Sequence, residues 1–231
     1  MKNKIKISLL SVIILLGFIS VSAQDKAITQ TKETQSKLSP QDALSMLKSG
    51  NERFVNGKEL NRNLMEQVKE TSKGQYPFAV VLTCLDSRTS AEIVFDQGIG
   101  DVFCARVAGN IINEDILGSM EYACKVVGAK LIVVLGHTDC GAVKSACDKV
   151  ELGNITAILK KIEPAVSQAK TDGERNSKNK KFVQDVADLN VKLGIEQIKE
   201  KSPILKEMIN NGEIMVVGAM YNVETGKVEF F

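Results

Sequence analysis

The sequence holds one histidine, His137, no tryptophan and only four prolines. A single imidazole excludes any site built from several histidines, such as a three-histidine metal centre. The missing Trp removes the largest aromatic stacking surface. Neither sign of charge is in excess. Lys and Arg number 30 against 28 Asp and Glu, a net charge of +2. That field is too weak to hold a phosphate backbone, so nucleic acid is not an expected partner. What remains is ordinary: 44% hydrophobic and 25% charged residues, as in a soluble globular chain. A length of 231 residues suits one large domain or two small ones.

Long apolar runs are also scarce, and the one present lies at the start. Lys2, Lys4 and Lys6 precede the apolar stretch Ile7–Val21, which ends in Val21-Ser22-Ala23. This is the secretory signal pattern. The run is shorter than the roughly 20 residues a membrane span needs, and no Cys follows to carry a lipid. The expected organisation is a signal peptide over 1–23, a flexible polar leader over 24–38 and a single domain over 39–231. The product is expected to be exported without a stable membrane anchor: periplasmic if the source is Gram-negative, otherwise secreted.

The body alternates short β-branched runs with amphipathic patterns. Phe78–Thr83, Val102–Arg106, Leu131–Leu135 and Ile214–Ala219 have strand length, and most are continuously apolar, as in strands buried on both faces. Helical patterns cover Ser90–Gln97, Asn113–Val127, Ala142–Val150, Ile155–Lys170 and Phe182–Lys199. An N-terminal helix starts at Ser39-Pro40-Gln41-Asp42, where Ser39 caps and Pro40 suits the first helical position. Val223–Phe231 reads as a final hairpin or edge strand. The alternation predicts an α/β fold on a mostly parallel sheet covered on both faces. In such sheets the chemistry gathers at the carboxyl ends of the strands.

Two of those ends carry metal-ligand residues. The first predicted strand runs into Cys84-Leu85-Asp86-Ser87-Arg88, and the third into His137-Thr138-Asp139-Cys140. Two thiolates and one imidazole suit zinc with its fourth position open. Cys140 stands at a predicted helix start, whose partial positive charge favours its thiolate. A Cys84–Cys140 redox pair is the rival reading, but it accounts for neither His137 nor Asp86 and Arg88. Asp86 can pair with Arg88 across one residue, either as an ionised acceptor for a reacting water or as a structural ion pair. Cys104, Cys124 and Cys147 read as small buried hydrophobes.

These segments resemble the β-class carbonic anhydrases, whose Cys-x-Asp-x-Arg and His-x-x-Cys motifs appear here as CLDSR and HTDC. NERFVNG, VFDQGIGDVF, ARVAGN, GSMEYA and LIVVLGHTDCGAV extend the resemblance over nearly all of residues 51–231. It implies a three-layer α/β/α sandwich on about five strands, with an antiparallel edge strand and an N-terminal helical arm. It implies a homodimer, with tetramers formed by pairing, whose N-terminal helices wrap the neighbour. It implies one zinc per chain on Cys84, His137 and Cys140, with Asp86 a conditional fourth ligand, and Asp86 with Arg88 as the catalytic dyad. Gln75, Phe103, Tyr122 and Gly109 then bind substrate, with core packing the alternative for Phe103 and Tyr122. The open-site, plant-like branch is favoured because the Trp of an allosteric branch is absent. The implied reaction is zinc-dependent, reversible hydration of carbon dioxide to bicarbonate and a proton. The alternatives are a carbon disulfide or carbonyl sulfide hydrolase on the same fold, and a non-catalytic zinc-binding protein.

Overall fold

The computed structural model describes residues 29–231. The expected signal peptide over 1–23 lies outside them. Five strands form one sheet: β1 Ala79–Thr83, β2 Val102–Arg106, β3 Leu131–His137, β4 Met215–Tyr221 and β5 Val228–Phe230, in the order β2-β1-β3-β4-β5. The first four pair in parallel and β5 runs antiparallel to β4, as the sequence pattern predicts. The strands have their length because each is a run of β-branched and apolar residues closed by turn residues.

Side chains alternate between the two faces of a strand, and the core divides accordingly. Val80, Leu82, Ile132 and Val134 join one apolar cluster, while Ala79, Val81, Leu131, Val133 and Leu135 join another. The first is covered by α5 Glu114–Glu121, α6 Gly141–Cys147, α7 Ile155–Gln168, α8 Lys180–Lys201 and α9 Pro203–Asn210. The second is covered by α2 Pro40–Val55 and α4 Ala91–Val94. The result is the three-layer arrangement expected. No helix among the described residues is long and apolar enough to cross a membrane.

Several local expectations need correction. The leader is not flexible throughout, because α1 spans Lys32–Lys37 behind a Thr31 capping box. Its Gln35 is buried and donates to the Pro77 carbonyl at 2.7 Å, so tertiary contact holds a polar segment. The pattern over 113–127 is α-helical only to Glu121 and continues as a π-helical turn, Tyr122–Val126. Two further helices were not expected, α3 Leu64–Thr71 and α9. Both are only eight residues long, too short for a periodic pattern to stand out.

The N-terminal arm is locked to the sheet by polar groups. Asn51 Nδ2 donates to the carbonyls of Val94 and Gly226, and its Oδ1 accepts from the Val228 N–H. Asp96, buried and at φ +46°, accepts from Arg53, Arg62 and the Leu60 N–H. Beside Asn51, Gly50 lies so close to α4 that a Cβ there would sit 1.8 Å from the Phe95 carbonyl oxygen. Ala gains about 1 kcal/mol over Gly in a helix, but the blocking atom is backbone and cannot step aside. Gly50→Ala should therefore lower stability by about 1–3 kcal/mol, read as a reduced denaturation midpoint; an unchanged or raised midpoint would show that α2 is free to shift.

Candidate metal centre

The register of β1 on β3 pairs Thr83 with Leu135, so both strands end at the same edge. Cys84 follows β1, His137 ends β3, and Cys140 caps α6. The three are buried, and their donor atoms all lie within 4.8 Å of one another. The two sulfurs are 3.9 Å apart. A bonded disulfide needs about 2.05 Å, so the pair is close but unlinked.

The imidazole is oriented by its other nitrogen. His137 Nδ1 lies 2.9 Å from the Thr138 carbonyl oxygen, a geometry in which it donates. That leaves Nε2 with its lone pair, and Nε2 is buried without a hydrogen-bond partner. An orphaned polar atom is costly in a protein interior. Its cost is met if Nε2 and the two sulfurs take a common cation, and soft sulfur with imidazole nitrogen is a donor set that suits zinc.

The thiols divide sharply. A hydrogen bond with Cys140 lowers the Cys84 thiol below its ordinary range, helped by the N–H groups of Asp86 and Gly109. The same partnership pushes Cys140 up, as does its burial. The N–H groups of Ala142 and Val143 do favour the Cys140 thiolate, as its place at a helix start predicts. The neighbouring sulfur and burial outweigh them. Burial raises Cys124 to about 12, and burial with the nearby charge of Asp148 raises Cys147 to about 11, which keeps them inert thiols.

Asp86 and Arg88 form a bidentate pair, with Nε to Oδ1 at 2.9 Å and Nη2 to Oδ2 at 2.8 Å. That pairing holds Asp86 ionised, well below the ordinary carboxylate range. Asp86 Oδ2 also lies 4.0 Å from His137 Nε2, so the carboxylate faces the donor set. The turn is held from two sides: Arg106 donates to the carbonyls of Cys84, Leu85 and Asp86, and Thr89 Oγ1 to those of Cys84 and Asp86. Sequence reading missed both residues. Arg106 was findable, as the one charged residue in its strand, standing at the carboxyl end. Gly109 does reach the site, its N–H donating to Cys84 Sγ at 3.3 Å.

Gln75, Phe103 and Tyr122 are placed differently. Phe103 pairs in register with Val80, four residues before Cys84. Gln75 is exposed and precedes β1, at the opposite end of the strand from Cys84. Tyr122 is half-exposed, with its ring centroid 6.3 Å from that of Phe103. At about 3.3 Å per residue, these groups stand a strand length from the donor set of their own chain.

The carbonic anhydrase family model matches residues 79–228. Carbonic anhydrase 2 of Mycobacterium tuberculosis is 35% identical over 194 residues, spanning 81% of this chain and 91% of that one. The carbonic anhydrase of Mycolicibacterium smegmatis is 37% identical over 196 residues, 82% and 92% of the two chains. Among solved structures, a β-carbonic anhydrase of Aspergillus fumigatus superposes with a TM-score of 0.64 at 28% identity, covering 72% of this chain and 81% of that one. A tetrameric β-carbonic anhydrase of Sordaria macrospora shares the fold at a TM-score of 0.63 and 24% identity, covering 72% and 90%. Sheet order, donor set and relatives agree on one assignment: this chain belongs to the β-class carbonic anhydrases.

Proposed function

We propose that Cys84, His137 and Cys140 hold one zinc ion per chain, and that the site carries out reversible hydration of carbon dioxide to bicarbonate and a proton. The observation that carries this is the unpartnered, buried His137 Nε2 set against two sulfurs 3.9 Å apart. A zinc ion there would act as a Lewis acid and make a water nucleophilic near neutral pH. A purely structural zinc site would supply four protein donors; three, with a paired carboxylate alongside, favour catalysis. Nothing observed favours carbon disulfide or carbonyl sulfide as substrate.

The residues divide the work. Asp86, kept ionised by Arg88, accepts a hydrogen bond from the reacting water and orients its lone pair toward the carbon. Arg88 engages both Asp86 oxygens yet leaves each a further lone pair, which accepts from the water in the open site and is the one a conditional fourth ligand would use. With His137 committed as a ligand, the proton leaves through Asp86, solvent or external buffer.

The substrate end of the site is completed by a second copy. β2 is the sheet edge, Val102–Ala105 are only half-buried and Arg106 is exposed, and its outer side has no strand partner among the described residues. Antiparallel pairing of β2 with β2 of another copy would bring the amino end of one sheet beside the carboxyl end of the other. Gln75, Phe103 and Tyr122 of each copy would then line the other copy's site, with the Gln75 amide donating to a substrate oxygen. This reading makes the protein a homodimer, open to further pairing. Export is proposed on the basic start and the apolar run over 7–21.

Cys84→Ser, His137→Ala and Cys140→Ser should each abolish stoichiometric zinc and carbon dioxide hydration together, measured by elemental analysis and stopped-flow on one sample. Retention of both by any of the three would refute the ligand set. Asp86→Asn should keep zinc and lose about 10²-fold in rate, whereas wild-type turnover would reduce the pair to a structural ion bridge. Co-refolding Gln75→Ala with Cys84→Ser should restore about a quarter of wild-type activity, through mixed dimers with one complete site. If Gln75 works within its own chain, the mixture stays as inactive as its components.

A further inference from the structure

Helix α8 buries Phe182, Val183, Val186, Ala187, Val191 and Ile198 against the sheet, and among its buried residues Asn190 alone has a polar side chain. A buried amide weakens packing unless it is hydrogen-bonded. Asn190, 7% exposed, donates from Nδ2 to the Gly109 carbonyl at 2.9 Å, across 81 residues of sequence.

Gly109 links that amide to the metal centre. Its own N–H donates to Cys84 Sγ at 3.3 Å. The two bonds use the two peptides that flank one α-carbon, and that residue is held at φ 69° and ψ 19°. A side chain there would clash, since a Cβ would lie 2.5 Å from Ile162 Cδ1. The turn is tied elsewhere by Val107 N–H to Thr83 O and Asn110 N–H to Val107 O. The carbonyl side depends on Asn190. Without it, the Gly109 oxygen would be left unsatisfied, and the turn would rotate to find a partner, carrying the N–H off the sulfur.

We propose that Asn190 is a positioning residue of the metal centre, acting through Gly109 to keep a hydrogen bond on the Cys84 sulfur. The inference rests on the reading of Cys84 as a metal ligand. An N–H on a ligating thiolate draws off part of its charge, and such outer contacts tune both metal affinity and the electronic energy of the sulfur. Losing the bond raises the sulfur lone pairs in energy.

The test uses cobalt(II) as a spectroscopic probe and the zinc form for kinetics. Metal-free wild-type protein, Asn190→Leu and Asn190→Ser are titrated with cobalt(II) chloride. The near-ultraviolet sulfur-to-cobalt band and the visible ligand-field bands are recorded. Zinc release to a chelator is then timed on the zinc-loaded proteins. Both variants should bind one cobalt with an unchanged ligand-field pattern. Their sulfur-to-cobalt band should move to longer wavelength, and zinc should leave about tenfold faster because the rotated turn no longer holds Cys84 in place. Asn190→Ser keeps a small polar residue and carries the test if the leucine variant does not fold. A folded variant with the wild-type band and wild-type release overturns the role of Asn190. Absence of any sulfur-to-cobalt band in the wild-type protein would instead overturn the metal site, and the Asn190 inference with it.

Discussion

The parallel pairing of β1 with β3 is the constraint on which the site depends. Parallel hydrogen bonding with Thr83 opposite Leu135 brings the ends of both strands level. Cys84 and His137 stand just past those ends, and three residues on the chain turns into α6 with Cys140 as its cap. A slip of one residue would turn every β1 side chain to the other face. It would break both apolar clusters and part the donor atoms together. Burial of alternate side chains on both faces is therefore what sets the geometry of the three donor atoms.

Electrostatics at that edge run against burial. Two sulfurs and an imidazole nitrogen are held close in a dry place, where like charges repel strongly. The fold answers with donors: Gly109 and Asp86 N–H groups on one sulfur, Ala142 and Val143 N–H groups on the other, and Arg88 on the adjacent carboxylate. These contacts favour the Cys84 thiolate, while the neighbouring sulfur and burial push the Cys140 thiol up. A divalent cation would resolve that conflict for both sulfurs at once and give the lone pair of His137 Nε2 a partner.

The residues of the proposed site stand at the two ends of the sheet. The donor set and the Asp86–Arg88 pair crowd the carboxyl edge, while Gln75, Phe103 and Tyr122 stand toward the amino edge, beside β2, whose outer side has no strand partner among the described residues. In the proposed dimer, pairing of that strand with its own copy would tie assembly to chemistry: one feature would protect an exposed edge and bring the two groups of residues together. The polar locks of the N-terminal arm, at Asn51 and Asp96, hold α2 over the remaining face.

Much of this was legible before any fold was known. Strand-length apolar runs, their alternation with amphipathic patterns, and the Cys84, Asp86, Arg88, His137, Cys140 spacing are local properties, set by periodicity and by side-chain chemistry. Helix α1, the π-helical turn at Tyr122, the carbonyl clamp by Arg106 and Thr89, and the Asn190 contact were not. Each depends on residues that meet only when distant segments pack, and a buried Asn in an apolar stripe looks in sequence like any polar surface residue. Sequence alone determined which side chains could bind a metal and at which strand ends they would fall. Tertiary structure decided how closely they converge, which backbone N–H groups face each sulfur, and that Gln75, Phe103 and Tyr122 lie a strand length from their own chain's donors, because strand register and helix packing exist only in three dimensions.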